Sequence, residues 1–180
     1  MIYVEIRHIP DFQRYELELS HIRQRTPDWC IPANIESVTK YFLPDSSVTQ
    51  QYLWDKWVEA CLQSGENSNS ISFGSIKRRV LDNDQNYLRF DSEVITDDIR
   101  RLALSVIPSR IDVGPLIISL PAFIPMRWHV YTVVGCSRLG ALHLHDTGTG
   151  RLLWRDLSEM EEALRQRSQT TTDTLIIRPK

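Results

Sequence analysis

The sequence predicts an α+β fold in which a mainly helical N-terminal half packs on a C-terminal antiparallel β-sheet. Between residues 24 and 107, apolar residues recur every three or four positions, the repeat of an amphipathic helix. After Pro108 they gather into short runs rich in Val, Ile and Leu, punctuated by Gly135, Gly140, Gly148 and Gly150, as strands and turns are. Helices grouped before strands, instead of alternating with them, indicate α+β and not α/β.

The chain opens on two stretches of period-two alternation, Ile2-Tyr3-Val4-Glu5-Ile6 and Tyr15-Glu16-Leu17-Glu18-Leu19, broken by His8-Ile9-Pro10-Asp11. A pair of short strands is expected over residues 1–22. Ile31, Ile35, Val38 and Phe42 then follow helical spacing until Pro44 ends the run. Pro32 has no amide proton and fits only the first helical turn, so Cys30 belongs at or just before the helix start. Ser47-Val48-Thr49-Gln50 has capping-box form and opens a second helix through Leu53, Trp54, Trp57, Val58 and Cys61, with both tryptophans expected in the core. A polar Ser/Asn loop over 64–70 precedes a third helix at 73–81, and Thr96-Asp97-Asp98 caps a fourth at 99–106. Strands are expected at 114–120, 128–136, 141–146, 152–154 and 174–177, with a helix capped by Ser158-Glu159-Met160-Glu161 before the last. Residues 1–22, 24–107 and 114–178 are read as three parts of a single domain spanning 1–180.

Size and charge narrow the function. The 180 residues are 42% hydrophobic and 24% charged, within the range of one globular domain. A formal net charge of −2 supplies no attraction to nucleic acid or an anionic membrane, so neither is expected as a partner. Apolar runs such as 115–123 fall well short of the roughly 18 to 20 residues that a membrane span needs. The N-terminus has Glu5 inside its apolar stretch and no basic leader, so it does not read as a signal peptide and a cytoplasmic location is expected. Three cysteines, Cys30, Cys61 and Cys136, are odd in number and widely spaced. That argues against a disulfide framework or a structural zinc site and leaves a thiol available for chemistry.

Cys30 has the best surroundings for it. A helix N-terminus stabilises a thiolate through free amides and the helix dipole. Gln24, six positions earlier, has a side-chain amide that with the Cys30 backbone amide could hold an oxyanion. His129 opens the strand His129-Val130-Tyr131-Thr132-Val133-Val134, and Asp146 closes Ala141-Leu142-His143-Leu144-His145 before Thr147-Gly148-Thr149-Gly150. If these strands form a hairpin, His129 and Asp146 become neighbours, a base and the group that orients it.

Taken together, Gln-x5-Cys-x-Pro-Ala, the Gly-Pro-Leu-Ile-Ile-Ser-Leu strand, Trp-His-Val-Tyr-Thr-Val-Val-Gly and the His-Asp before a glycine turn resemble the papain-like cysteine peptidases related to the bacteriocin-processing, double-glycine leader peptidases. The resemblance spans residues 24–164 and implies a papain-like fold. It also implies a cysteine endopeptidase working through a thioester acyl-enzyme: Cys30 as nucleophile, His129 as base and acid, Asp146 as orienter, Gln24 in the oxyanion hole. No metal or organic cofactor is implied. The chain departs from the family where Ile31 replaces the usual glycine after the cysteine and Thr147 the usual proline after the aspartate. Ile31 bears on substrate access, whereas Thr147 is expected to alter only the turn.

Other residues have plainer readings. His143 and His145 share one face of a strand, but no further ligand lies close in sequence, so no metal is expected; that face should be polar and solvent-facing, with Asp146 on the side that meets the helices. Trp29 and Trp128 each precede a site residue and are candidates for the cleft wall. Cys61 and Cys136 are read as packing residues. The partner is expected to be a protein or peptide substrate. The setting suggested is a bacterial effector or toxin protease, delivered into a target-cell cytoplasm by a signal-independent route and paired with an immunity protein. The sequence leaves open a catalytically silent peptide-binding module, and acyl transfer in the manner of a transglutaminase or deamidase.

Overall fold

Pro32 and the apolar stripe behind it set the first helix, α1 (Cys30–Phe42), with Cys30 as its first residue in the computed structural model, which describes residues 17–19, 22–65, 67–68, 71–122 and 128–180. The two strands expected over 1–22 lie mostly outside the described residues; within the described part, Leu17 donates its amide to the Val134 carbonyl at 2.9 Å. α2 (Gln50–Ser64) is capped by the Thr49 hydroxyl, which accepts from the Tyr52 amide at 3.2 Å, and not by Ser47 as expected. The start moves because Glu36 of α1 accepts the Gln50 amide at 3.0 Å, tying the first residue of α2 to α1. α3 (Phe73–Ile76) begins at a Ser72/Ser75 capping box and runs into wider π-helical turns at Lys77–Leu81.

One strand was absent from the sequence expectation. β1 (Phe90–Asp98) precedes α4 (Ile99–Arg101), whose π-helical continuation is Leu102–Val106. The others are β2 (Leu116–Pro121), β3 (Trp128–Cys136), β4 (Leu142–Asp146), β5 (Arg151–Arg155) and β6 (Thr171–Pro179). α5 (Leu157–Arg165) enters before β6 through an Asp156/Glu159 capping box, so Asp156 takes the cap expected of Ser158. All pairings are antiparallel, in the order β1-β6-β2-β3-β4-β5. β1 is therefore an edge strand at the far end from the β3–β4 hairpin.

Strand alternation sends side chains to two cores. Ile117, Val130, Leu175 and Ile177 join Ile31, Ile35 and Val38 of α1 and Leu53 and Trp57 of α2 on one face. Leu116, Ile118, Leu120, Tyr131, Val133, Leu142, Leu144 and Ile176 meet Ile99, Leu102, Met160 and Leu164 on the other. Coverage of both faces corrects the reading of β4. His143 and His145 are buried, not solvent-facing: His145 pairs with Thr132 on the α1 side, and His143 stacks on the Trp154 ring at 4.5 Å with planes 2° apart. Cys61 and Cys136 are both buried within these cores. No helix among the described residues is long and apolar enough to cross a membrane.

α1 thus lies on the sheet through a fully buried seam. Ile35→Ala, which removes three carbons from that seam, is expected to lower unfolding stability by about 2–5 kcal/mol, read from the urea midpoint; an unchanged midpoint would contradict this packing.

Candidate active site

Three elements bring their ends together. Cys30 begins α1, His129 is the second residue of β3, and Asp146 is the last of β4. The antiparallel β3–β4 pairing brings the start of one strand beside the end of the other, and His129 Nε2 donates to Asp146 Oδ1 at 2.8 Å. With Nε2 committed there, Nδ1 is the nitrogen left to face Cys30, whose side chain is near enough to raise the proton affinity of the ring. Both side chains keep a sliver of surface, 17% for His129 and 14% for Asp146, and Cys30 is half-buried. The cluster is shielded from bulk water yet open to a ligand.

Burial by itself would drive the proton off His129. The hydrogen bond and charge of Asp146, together with the neighbouring Cys30 side chain, outweigh it and raise the His129 pKa to about 9. Burial likewise opposes the Asp146 charge, but the bond to His129, the Thr149 hydroxyl on Oδ2 at 2.9 Å and the Gly148 amide on Oδ1 at 2.8 Å bring its pKa down to about 2. Asp146 is thus a fixed anion and His129 a ring held in one orientation. Gly148 makes a close approach here: a Cβ would lie 3.1 Å from Asp146 Oδ1 and 3.3 Å from His129 Cε1, so the carboxylate or the ring would have to give by a few tenths of an ångström.

Gln24 reaches the same cluster. Its backbone amide donates to the Thr147 carbonyl at 2.9 Å, placing it beside the residue after Asp146. Its Nε2 donates to the carbonyls of Thr26 and Pro27, each at 3.1 Å, and its Oε1 accepts from the Thr147 hydroxyl at 3.3 Å. The Trp29 side chain places no cap on the α1 amides. Trp29 instead stacks on Trp54 at 5.6 Å, so Trp54 is a partly exposed wall and not the core residue expected; the two rings, with Val58 and Leu62, line a groove of about 550 Å³. Trp128 is 41% exposed, with the Arg167 guanidinium 5.3 Å from its ring centre.

Two residues matter more than the sequence suggested. Asn34, fully buried one helical turn after Cys30, donates through Nδ2 to the Cys30 carbonyl at 2.7 Å, the Val130 carbonyl at 2.9 Å and the Thr147 hydroxyl at 3.2 Å. Its Oδ1 accepts from the Thr132 hydroxyl at 2.5 Å. One amide therefore touches Cys30 itself, the neighbour of His129 and the neighbour of Asp146. The visible signal was an asparagine among Ile31, Ile35 and Val38. Thr147, expected only to shape a turn, is fully buried and joins Asn34 to Gln24.

No family model matches the chain, and no curated protein does. Among solved structures, the chain is similar to the peptidase domain of Streptococcus ComA, a bi-functional ABC transporter involved in a quorum-sensing pathway, with a TM-score of 0.59 and 18% identity over 92% of this chain and 99% of that one. The Pseudomonas avirulence protein AvrPphB aligns over 71% of this chain and 70% of its own, at a TM-score of 0.35 and 12% identity. The likeness to the ComA domain shows the fold, which is papain-like.

Asn34→Ala would leave the Val130 carbonyl and Thr132 hydroxyl buried without this partner, each at about 1–3 kcal/mol. A loss of about 2–4 kcal/mol in urea unfolding is expected, and a loss below that of an exposed substitution would contradict the role. Stability should also follow the titrating pair. His129 holds its proton more tightly when folded, so its contribution is complete below its ordinary pKa of 6.5 and is lost as pH rises through about 9. Asp146 contributes above its ordinary 3.8 and loses its contribution as pH falls towards about 2. The part of the urea midpoint that disappears in His129→Gln should fall between pH 6.5 and 9; a flat difference would contradict the coupling.

Proposed function

We propose that the protein is a cysteine peptidase with Cys30 as nucleophile, His129 as general base and acid, Asp146 as orienter, and Gln24 with the Cys30 amide as oxyanion donors. The observation that carries this reading is the convergence of a half-buried thiol, an imidazole whose proton affinity that thiol raises, and a carboxylate 2.8 Å from the imidazole, from three separate elements. The papain-like fold supports it.

In this reading the imidazole takes the thiol proton, and the Cys30 sulfur attacks the scissile carbonyl carbon. A C–S bond forms and the carbonyl electron pair becomes an oxyanion, held by the donors at the start of α1. The protonated His129 gives its proton to the amide nitrogen as the C–N bond breaks, releasing the amine and leaving a thioester. Water then loses a proton to His129 and attacks the thioester; the acid leaves and the thiol is restored. Asp146, ionised throughout, keeps the ring from rotating and stabilises its charged form. The substrate class is a peptide or protein chain, and the Trp29–Trp54 groove beside the nucleophile is a surface on which its side chains could lie.

Mass spectrometry after limited iodoacetamide treatment tests the nucleophile. Cys30 should label ahead of buried Cys61 and Cys136, and its own labelling rate should fall in His129→Ala; a rate unchanged by that substitution, or equal labelling of all three, would contradict the triad. Comparison of a proteome exposed to wild type and to Cys30→Ala tests the reaction. New N-termini with wild type alone are expected, reduced about 10²- to 10⁴-fold in rate by His129→Ala; a gain of one mass unit at glutamines without cleavage would identify deamidation instead.

A further inference from the structure

The polar chain behind the site has a direction. Two main-chain carbonyls, Cys30 and Val130, face the Asn34 side chain and accept only from a donor, so they hold its Nδ2 inward; the Thr132 hydroxyl donates to the Oδ1 at its other end. The same Nδ2 donates to Thr147 Oγ1 and has no lone pair to accept in return. The single Thr147 proton goes instead to Gln24 Oε1. With its oxygen anchored, Gln24 turns its NH2 away from Thr147, towards the Thr26 and Pro27 carbonyls of the turn that leads into Cys30. Thr132, Asn34 and Thr147 are all fully buried, so water does not compete along this chain.

We propose that Thr147, acting with the Thr26 and Pro27 carbonyls that hold the NH2 end, is a positioning residue that sets which end of the Gln24 amide is presented to the reacting carbonyl, with Asn34 and Thr132 fixing the direction of the relay. The proposal rests on the peptidase reading above. An amide rotated by half a turn would place an oxygen where the oxyanion forms, so the relay selects the donating over the repelling orientation. Thr147 acts on the reacting carbonyl through Gln24, and its backbone carbonyl, which accepts the Gln24 amide proton, is retained in any substitution of its side chain.

Two small reagents separate this role from a merely structural one. p-Nitrophenyl acetate acylates a thiolate through a tetrahedral oxyanion: the C–S bond forms, the ester C–O bond breaks and p-nitrophenolate leaves. Iodoacetamide alkylates the same thiolate by displacing iodide, with no oxyanion. Thr147→Val should slow acylation of Cys30 about tenfold, short of the ~10²–10³ lost when an oxyanion donor is removed outright, and leave the alkylation rate within about twofold. Thr147→Ser, which restores the hydroxyl, should stay within about twofold of wild type in both reactions. In a Gln24→Ala background, Thr147→Val should produce no further loss of acylation. Equal slowing of both reactions by Thr147→Val, or losses that multiply in the double variant, would overturn the relay. A wild-type protein that alkylates at Cys30 but is not acylated there would overturn the peptidase reading and the relay with it, and is recognised without any variant.

Discussion

A single buried amide holds the site in register. Asn34 sits among isoleucines and valine on the inner stripe of α1, where an apolar residue would pack without desolvation cost. What it supplies instead is direction. Apolar contacts tolerate small slides of a helix over a sheet, whereas hydrogen bonds to the carbonyls of Cys30 and Val130 and to the Thr147 hydroxyl do not. Because those three partners are Cys30 itself and residues that adjoin His129 and Asp146, one side chain converts the packing of α1 on β3 into a fixed placement of Cys30, His129 and Asp146. Removing either face of the packing, or the amide, would loosen the same geometry.

The electrostatics depend on that fixed geometry. Burial disfavours both the imidazolium and the carboxylate, yet His129 is raised to about 9 and Asp146 lowered to about 2, which requires partners at hydrogen-bond distance. Asp146 is further committed by the Gly148 amide and the Thr149 hydroxyl, so its second oxygen does not wander. Gly148 lets the turn close over the His129 ring where any Cβ would press on it. The glycines after β4 thus do more than end a strand: one of them makes room for the ring that the carboxylate orients.

Much of this was legible in the residues. Pro32 placed Cys30 at the head of α1, and the apolar runs between glycines marked β3 and β4, whose pairing as a hairpin, the condition for joining His129 to Asp146, is found. β1 was not legible, because as an edge strand it carries Asp91, Glu93, Thr96, Asp97 and Asp98 and needs no clean apolar face. The burial of His143 and His145 was hidden for a related reason: polar residues at period two suggest a wet face, and only the arrangement of the elements shows that α1 and Trp154 cover it. Asn34 was visible as an oddity and Thr147 as a departure from the proline usual in the peptidases the sequence resembles, but their roles arise from contacts between residues 98 and 123 positions apart in the chain, which local pattern does not encode.

Central to this picture is the electrical coupling of Cys30 to His129. Titration of the His129 ring by NMR, in wild type and in Cys30→Ala, measures it directly. The expected result is a pKa near 9 in wild type that falls clearly in Cys30→Ala while the bond to Asp146 persists. A wild-type pKa near the ordinary 6.5, or one unmoved by loss of the thiol, would contradict the thiol–imidazole pair on which the proposed chemistry stands.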